Sequence, residues 1–360
     1  MSKVKLDATR RVALDPGAPD LKALKSAARV LRGGGLVAFA TETVYGLGAD
    51  ATQVEAVARI FEAKGRPSFN PLIVHVHDVA SARACVADWP SVASRLAERF
   101  WPGPLTMVLP RSKLIPDIVT AGQETVGVRV PALPSALALI KTYGRPIAAP
   151  SANRSNAVSP TTAQHVLDDL EGRIEMVLDS GATALGLEST VLDLTGARPR
   201  LLRPGMIGVE ALAALIGPIE FERPVDAAAR SQRTAARVGP RSPGQLDVHY
   251  APSTRCWRIE RDNFDPAPMS SEARWALLTL GEPPLTLVGR PVAQVELGDP
   301  DGAAAKLYLV LRELDALALD AIVIVAPPDL PAWRAVRDRI ERASQLWTKL
   351  GVGSETPAAS

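Results

Sequence analysis

Residues 33–50 read GGGLVAFATETVYGLGAD. Leu36, Val37, Ala38 and Phe39 form an apolar run with the character of a buried strand. The run breaks at Thr41-Glu42-Thr43, and Val44-Tyr45 lead into Gly46-Leu47-Gly48. A strand that ends in two hydroxyls and a carboxylate predicts a polar cavity at its mouth. On this reading Thr41 to Tyr45 bend away from the sheet, and Gly46 and Gly48 allow a turn and the close approach of a ligand.

Outward from this stretch, apolar runs alternate with amphipathic ones. Helical spacing predicts helices at 21–31, 53–63, 91–100, 134–143, 162–170 and 208–215. Strands are predicted at 36–40, 72–76, 105–109, 126–130, 147–149, 176–178, 189–194 and 200–203. The pattern is mixed α/β and too irregular for a regular βαβ series. Residues 218–252, rich in Arg, Ala, Pro and Ser, read as a linker. A small three-layer α/β unit follows at 253–348, with strands near 255–259, 275–280, 292–296 and 321–325 and helices near 303–314 and 333–344. Residues 349–360 read as a disordered tail.

The totals bound the answer. A chain of 360 residues is long for one core and suggests two domains. The net charge of +2 carries no gross footprint for nucleic acid or membrane. No apolar run reaches the length of about 18 that a membrane span needs, and the first residues have no secretory-type apolar core. Two distant cysteines, Cys85 and Cys256, make neither a disulfide framework nor a structural zinc site. The expectation is a soluble cytoplasmic protein.

Further polar clusters fall where apolar runs end. Lys64 and Arg66 bracket a glycine at a helix terminus. They suit a phosphate, the Lys as point charge and the Arg as planar fork, or a solvated helix end in favourable contact with the dipole. His75 and His77, two apart on a predicted strand, share a face. Two ligands rarely make a metal site, so His75 is better read as a hydrogen-bonding group for a substrate. Trp101-Pro102-Gly103-Pro104 reads as a structural turn. Thr125 and Arg129 are four apart on an apolar strand, and so lone an Arg needs a carboxylate from the protein or from a ligand. After the strand at 147–149 come Ser151, Asn153, Ser155, Asn156 and Ser159. These suit phosphate or ribose oxygens, or ordinary turns, with Ser159-Pro160 as an N-cap for the next helix. Ser151 is in no GxSxG elbow, and no P-loop or GxGxxG occurs. Glu188, Ser189 and Thr190 enter one strand, and Arg203-Pro204-Gly205 end another. Together the clusters describe a polar, cation-bearing cavity without an acid–base dyad, suited to orienting an anionic reactant.

Six runs, in order, are TETVYGLG, KGRP…NPLIVH, WPGPLT, VGVRVP, APSAN and ESTV…LLRPG. They closely resemble the YrdC-type threonylcarbamoyl-AMP synthases, densely over residues 15–215. The linker and second α/β unit are similar to the two-domain form of that family. The resemblance implies a YrdC-like catalytic domain at 1–217, a twisted mixed sheet with helices around a polar cavity. It also implies a linker or active-site lid at 218–252 and a Rossmann-like domain at 253–348. The implied activity joins L-threonine, bicarbonate and ATP into threonylcarbamoyl-adenylate with release of pyrophosphate, for a modified tRNA adenosine next to the anticodon. By the same resemblance Thr43, His75, Arg129, Ala149 and Ser189 hold threonine, with Arg129 on its carboxylate. Arg66, Asn70, Thr125, Ser151, Asn153, Ser159 and Arg203 hold ATP, and Lys64 and Arg66 form the catalytic pair. Mg2+ accompanies ATP, with no protein ligands assigned. Implied partners are the downstream tRNA threonylcarbamoyl transferase proteins and weak contact with RNA, without membrane contact, for a monomer. One departure stands out: in PGQLDVHY, Asp247 replaces a family tyrosine that reaches the nucleotide, while His249 and Tyr250 remain. Two rivals are weaker. An RNA-binding module fits poorly with near-neutral charge and only four tyrosines. A carbamoyltransferase of the hydrogenase-maturation type would need acylphosphatase-like and zinc-finger parts that the chain lacks.

Overall fold

The computed structural model describes residues 8–221, 250–261, 272–282 and 290–347. The chain divides into two compact units, residues 1–247 and 248–360. The first unit runs β1 (Arg10–Ala13), α1 (Leu21–Arg32), β2 (Val37–Ala40), β3 (Tyr45–Asp50), α2 (Val54–Lys64), β4 (Ile73–His75), α3 (Val79–Cys85) and α4 (Ser91–Phe100). It continues with β5 (Leu105–Pro110), α5 (Asp117–Thr120), β6 (Thr125–Arg129), α6 (Pro134–Tyr143), β7 (Ile147–Ala148) and α7 (Ala163–Leu170). It ends with β8 (Met176–Asp179), β9 (Thr190–Asp193), β10 (Arg200–Arg203), α8 (Val209–Ile216) and β11 (Glu220–Phe221). The strands form one mixed sheet of order β1-β8-β2-β3-β7-β4-β6-β5-β9-β10-β11.

Local signals explain these elements. Asp20 caps α1 through the N–H groups of Lys22 and Ala23, and the helix buries Leu24, Ala27, Ala28 and Leu31. Gly65 ends α2 in the left-handed conformation at φ 61°. The N-cap of α7 is Thr162, not Ser159, whose hydroxyl donates instead to Glu188 at 2.6 Å. Short β1, α3, α5 and β11 carry too little periodicity to be read from sequence. Glu220 and Phe221, expected in the linker, pair with Arg200 and Leu201. The rest of that linker to His249, including Asp247, and the tail lie outside the described residues.

The opening stretch folds differently from expectation. The turn is confined to 42–44, and Tyr45 begins a second strand antiparallel to β2, with Val37 opposite Gly48 and Phe39 opposite Gly46. The glycines therefore lie inside the sheet. A Cβ on Gly48 would stand 2.9 Å from both the Phe39 ring and the Ile147 side chain. One on Gly46 would stand 3.3 Å from the Ala149 methyl. Their bare backbone accommodates Phe39 and strand β7.

Alternation assigns the two faces. Leu105, Met107 and Leu109 of β5, Val126 and Val128 of β6, and Val74 of β4 enter one large core. On the other face Val37, Phe39, Ile147, Ala149, Met176 and Leu178 pack with α1 and α6. Farther along that face, alternation places Ile73 and His75, Thr106, and Thr125, Gly127 and Arg129. Apolar cover gives way there to polar groups.

The second unit comprises β12 (Cys256–Ile259), β13 (Trp275–Leu280), β14 (Ala293–Leu297), α9 (Pro300–Asp315), β15 (Ala321–Val325), α10 (Arg334–Ala343) and β16 (Gln345–Leu346). Its sheet, all parallel, has the order β14-β13-β15-β12-β16. Buried Tyr250 belongs to this unit, stacked on Tyr308 at 5.7 Å and under the Arg339 guanidinium at 5.2 Å. Among the described residues no helix is long and apolar enough to cross a membrane.

Candidate active site

The site is built on the polar part of the second face. β4 and β6 run parallel with His75 beside Arg129, and Thr125 lies two pleats before Arg129. Arg129 is 4% exposed, and each of its three nitrogens donates a hydrogen bond. Nη2 donates to Glu42 at 2.6 Å, Nη1 to the Thr43 hydroxyl at 3.0 Å, and Nε to the Gly103 carbonyl at 3.2 Å. The carboxylate that this lone strand Arg requires is thus Glu42, which also accepts from the Ala132 N–H. In the turn at Trp101-Pro102-Gly103-Pro104, the Gly103 carbonyl accepts from Arg129 and the Pro104 carbonyl from the Thr190 N–H.

Backbone contacts draw the other clusters in. Tyr45 N–H donates to Pro160, Ala152 N–H to Tyr45, and Leu185 N–H to Glu42, each carbonyl accepting at 2.8–2.9 Å. The TETVY turn therefore touches the loops that carry Ser151, Asn153, Ser159 and Glu188. Ser189 and Thr106 share a hydroxyl contact at 2.8 Å, and Arg203 reaches the Ser189 hydroxyl and carbonyl at 3.1 Å. Gly205 lets this loop approach: a Cβ there would fall 2.7 Å from the Ser189 carbonyl carbon. Ala149 lies opposite Ile73, its N–H on the Ile73 carbonyl at 3.0 Å. Thr125 opens β6 opposite Pro110.

The basic pair divides its work. Lys64 is buried, and its ammonium donates to the carbonyls of Ser151 (2.6 Å) and Asn153 and to the Asn153 side chain (3.3 Å). Three acceptors meet its three N–H groups, so Lys64 tethers the 151–153 loop. Burial, and then the Arg66 charge, push its pKa well below the usual lysine range. Arg66 donates to the Asn70 and Pro71 carbonyls at 3.2 and 2.9 Å, which aims it along the strand entry.

Two candidate site residues carry unpartnered polar atoms. Both side-chain polar atoms of Asn70, and Nδ1 of His75, are buried without a hydrogen-bond partner among the described residues. A buried orphan amide costs about 1–3 kcal/mol, so such groups mark a place where a partner arrives. Burial and then the Arg129 charge push His75 down to about 3, leaving the imidazole neutral. His75 meets Phe39 edge-on at 6.4 Å. His77 lies beyond the end of β4, beside Asp78 and Ser81 at 3.2 and 3.3 Å, and so does not share the strand with His75. From sequence Glu42 was read only as part of the polar strand end, with no partner named, and Thr106 was not singled out. Glu42 was legible as the nearest acid to a lone Arg only once the turn was folded over β6, and a threonine inside an apolar strand is ordinary.

Residues 29–205 match the family model named for Sua5, YciO and YrdC and described as "Telomere recombination". Residues 207–345 match the model described as "Threonylcarbamoyl-AMP synthase, C-terminal domain". A threonylcarbamoyl-AMP synthase of Bacillus subtilis is 42% identical over 334 residues, covering 89% of this chain and 92% of the relative. One of Pyrococcus abyssi is 41% identical over 326 residues, covering 89% and 94%. The crystal structure of P. abyssi Sua5 complexed with L-threonine superposes with a TM-score of 0.83 at 38% identity, covering 93% of this chain and 98% of that one. With both units matched, in order and over nearly their whole length, the chain belongs to the threonylcarbamoyl-AMP synthase family of nucleotidyltransferase-type enzymes.

Proposed function

We propose that the chain joins L-threonine, bicarbonate and ATP into L-threonylcarbamoyladenylate, releasing pyrophosphate, and that the product serves the tRNA adenosine next to the anticodon. One observation carries this reading. The unpartnered His75 Nδ1 lies on the strand beside Arg129, which already meets Thr43, and the unpartnered Asn70 amide stands before the start of the same strand. It is supported by the L-threonine complex of the P. abyssi relative.

In this reading Thr43, Arg129 and Ser189 orient threonine, whose carboxylate takes over the place of Glu42 on Arg129. Neutral His75 offers a hydrogen bond without charge, and the small Ala149 side chain leaves room beside it. The threonine ammonium gives up a proton; bicarbonate, taking up a proton, releases CO2 and water; and the free amine adds to CO2 and sheds one further proton to solvent, giving the carbamate. A carbamate oxygen attacks the α-phosphorus of ATP, and the bond to the β-phosphate oxygen breaks. Pyrophosphate leaves with its charge spread over Arg66 and Arg203, while Asn70, Thr125, Ser151, Asn153 and Ser159 position the nucleotide. No covalent enzyme nucleophile is needed. Mg2+ is assigned to the incoming ATP as part of that substrate. Among the described residues no group of three or more His, Cys, Asp or Glu stands together to hold it.

The test is pyrophosphate release from ATP with and without L-threonine and bicarbonate, with serine and valine as controls. Release that requires both threonine and bicarbonate is expected. Release indifferent to threonine would overturn the reading.

A further inference from the structure

A second cavity, of about 500 Å³, lies at the far end of three strands that carry the candidate active site. Thr52 follows β3, Val76 follows β4, and Pro146 precedes β7, and all three line it. Thr43, Asn70 and Ser151 sit at the opposite ends of the same strands. His75 and Arg129 lie at the near end, where the Val76 N–H donates to the Arg129 carbonyl at 3.0 Å, but successive strand side chains point to opposite faces and no candidate active-site side chain lines this cavity.

The lining has two parts. Val76, Ala84, Leu114, Ile140 and Pro146 give an apolar wall, and Leu114 stays 43% exposed there. Thr52, His77, Ser81 and Arg145 give a polar rim. His77 is held on both ring nitrogens, by the Asp78 carboxylate and the Ser81 hydroxyl.

Arg145 is the informative group. It touches Asp50 through Nη1 at 3.2 Å, yet its side chain remains 56% exposed. Asp50 is buried and does not depend on it. It accepts from the Thr52 N–H and hydroxyl at 2.8 and 2.7 Å, from Gln53 at 2.9 Å and from the Tyr143 hydroxyl. An exposed guanidinium above an apolar wall is suited to a ligand with one carboxylate and an apolar body, gripped through paired N–H groups. Cavities of this volume take small organic molecules. We propose that this cavity is a second binding site, for a small monocarboxylate with a compact apolar body.

Hexanoate, hexanol and hexylamine, titrated into the full chain and followed by ligand-observed NMR, test the proposal. Hexanoate should bind in the millimolar range, more tightly than hexanol, with hexylamine weakest. Arg145→Gln should weaken hexanoate about tenfold. Ala84→Leu, at an exposed helix position, should fill the cavity and abolish binding without disturbing the core. Saturating L-threonine should leave hexanoate in place. Absence of binding, hexylamine binding as well as hexanoate, indifference to Ala84→Leu, or displacement by L-threonine would each overturn it.

Discussion

Arg129 is buried, and three neighbours hold it in one orientation. Removing Glu42 strands that charge, so Glu42→Ala should cost about 3–5 kcal/mol in chemical denaturation. A loss near zero would show that Arg129 finds another counter-charge. Thr43 supplies the hydroxyl between Arg129 and Thr41, with Thr41 and Thr43 2.8 Å apart. Thr43→Val should raise KM for threonine more than for ATP, and an equal rise in both would remove Thr43 from the threonine subsite. Arg66, held by the Asn70 and Pro71 carbonyls, is proposed with Arg203 to meet the phosphates. Arg66→Ala should lower kcat/KM for ATP by about 2–4 kcal/mol of transition-state stabilisation, and wild-type kinetics would refute the assignment.

At the level of elements, Gly48 carries the sharpest demand. An added methyl would press on the Phe39 ring and Ile147, so Gly48→Ala should destabilise the first unit by about 1–3 kcal/mol. A neutral melting temperature would show that Phe39 can give way. How far sequence reached depended on how local the cause was. The TVGVR alternation of β6 already placed Thr125 and Arg129 on one face, and the fold follows it. The hairpin at 37–50 was missed because its glycines answer to Phe39 and Ile147, and Ile147 is a residue about a hundred positions away. Ser159 read as a cap because serine before proline commonly is one, but a distant acid, Glu188, takes its hydroxyl. Lys64 read as either a phosphate's point charge or an ordinary helix end, because nothing in KGR reveals that the 151–153 loop returns to enclose it. Residue type thus offered candidates for the site, whereas who is partnered with whom was decided by chain crossings.

For the whole molecule, burial of an uncharged His75 links stability to pH. Its folded value of about 3 lies below the ordinary 6.5, so the unfolded chain binds more protons between these limits. Stability is then complete above about pH 6.5 and falls on acidification toward 3, by up to about 1.4 kcal/mol per pH unit for this group. His75→Gln should flatten the decline between pH 6 and 4, and an unchanged slope would mean that other groups set it. The sheet order adds a constraint on biosynthesis. β8 fills the slot between β1 and β2, with Met176 beside both Arg10 and Val37. A nascent chain that has displayed β1 and β2 must therefore wait for well over a hundred further residues before either gains this neighbour. At ordinary elongation rates that interval is on the order of ten seconds. Throughout it, two unpaired strand borders are open to misassembly, so the wait is a window in which a ribosome-associated chaperone would matter most.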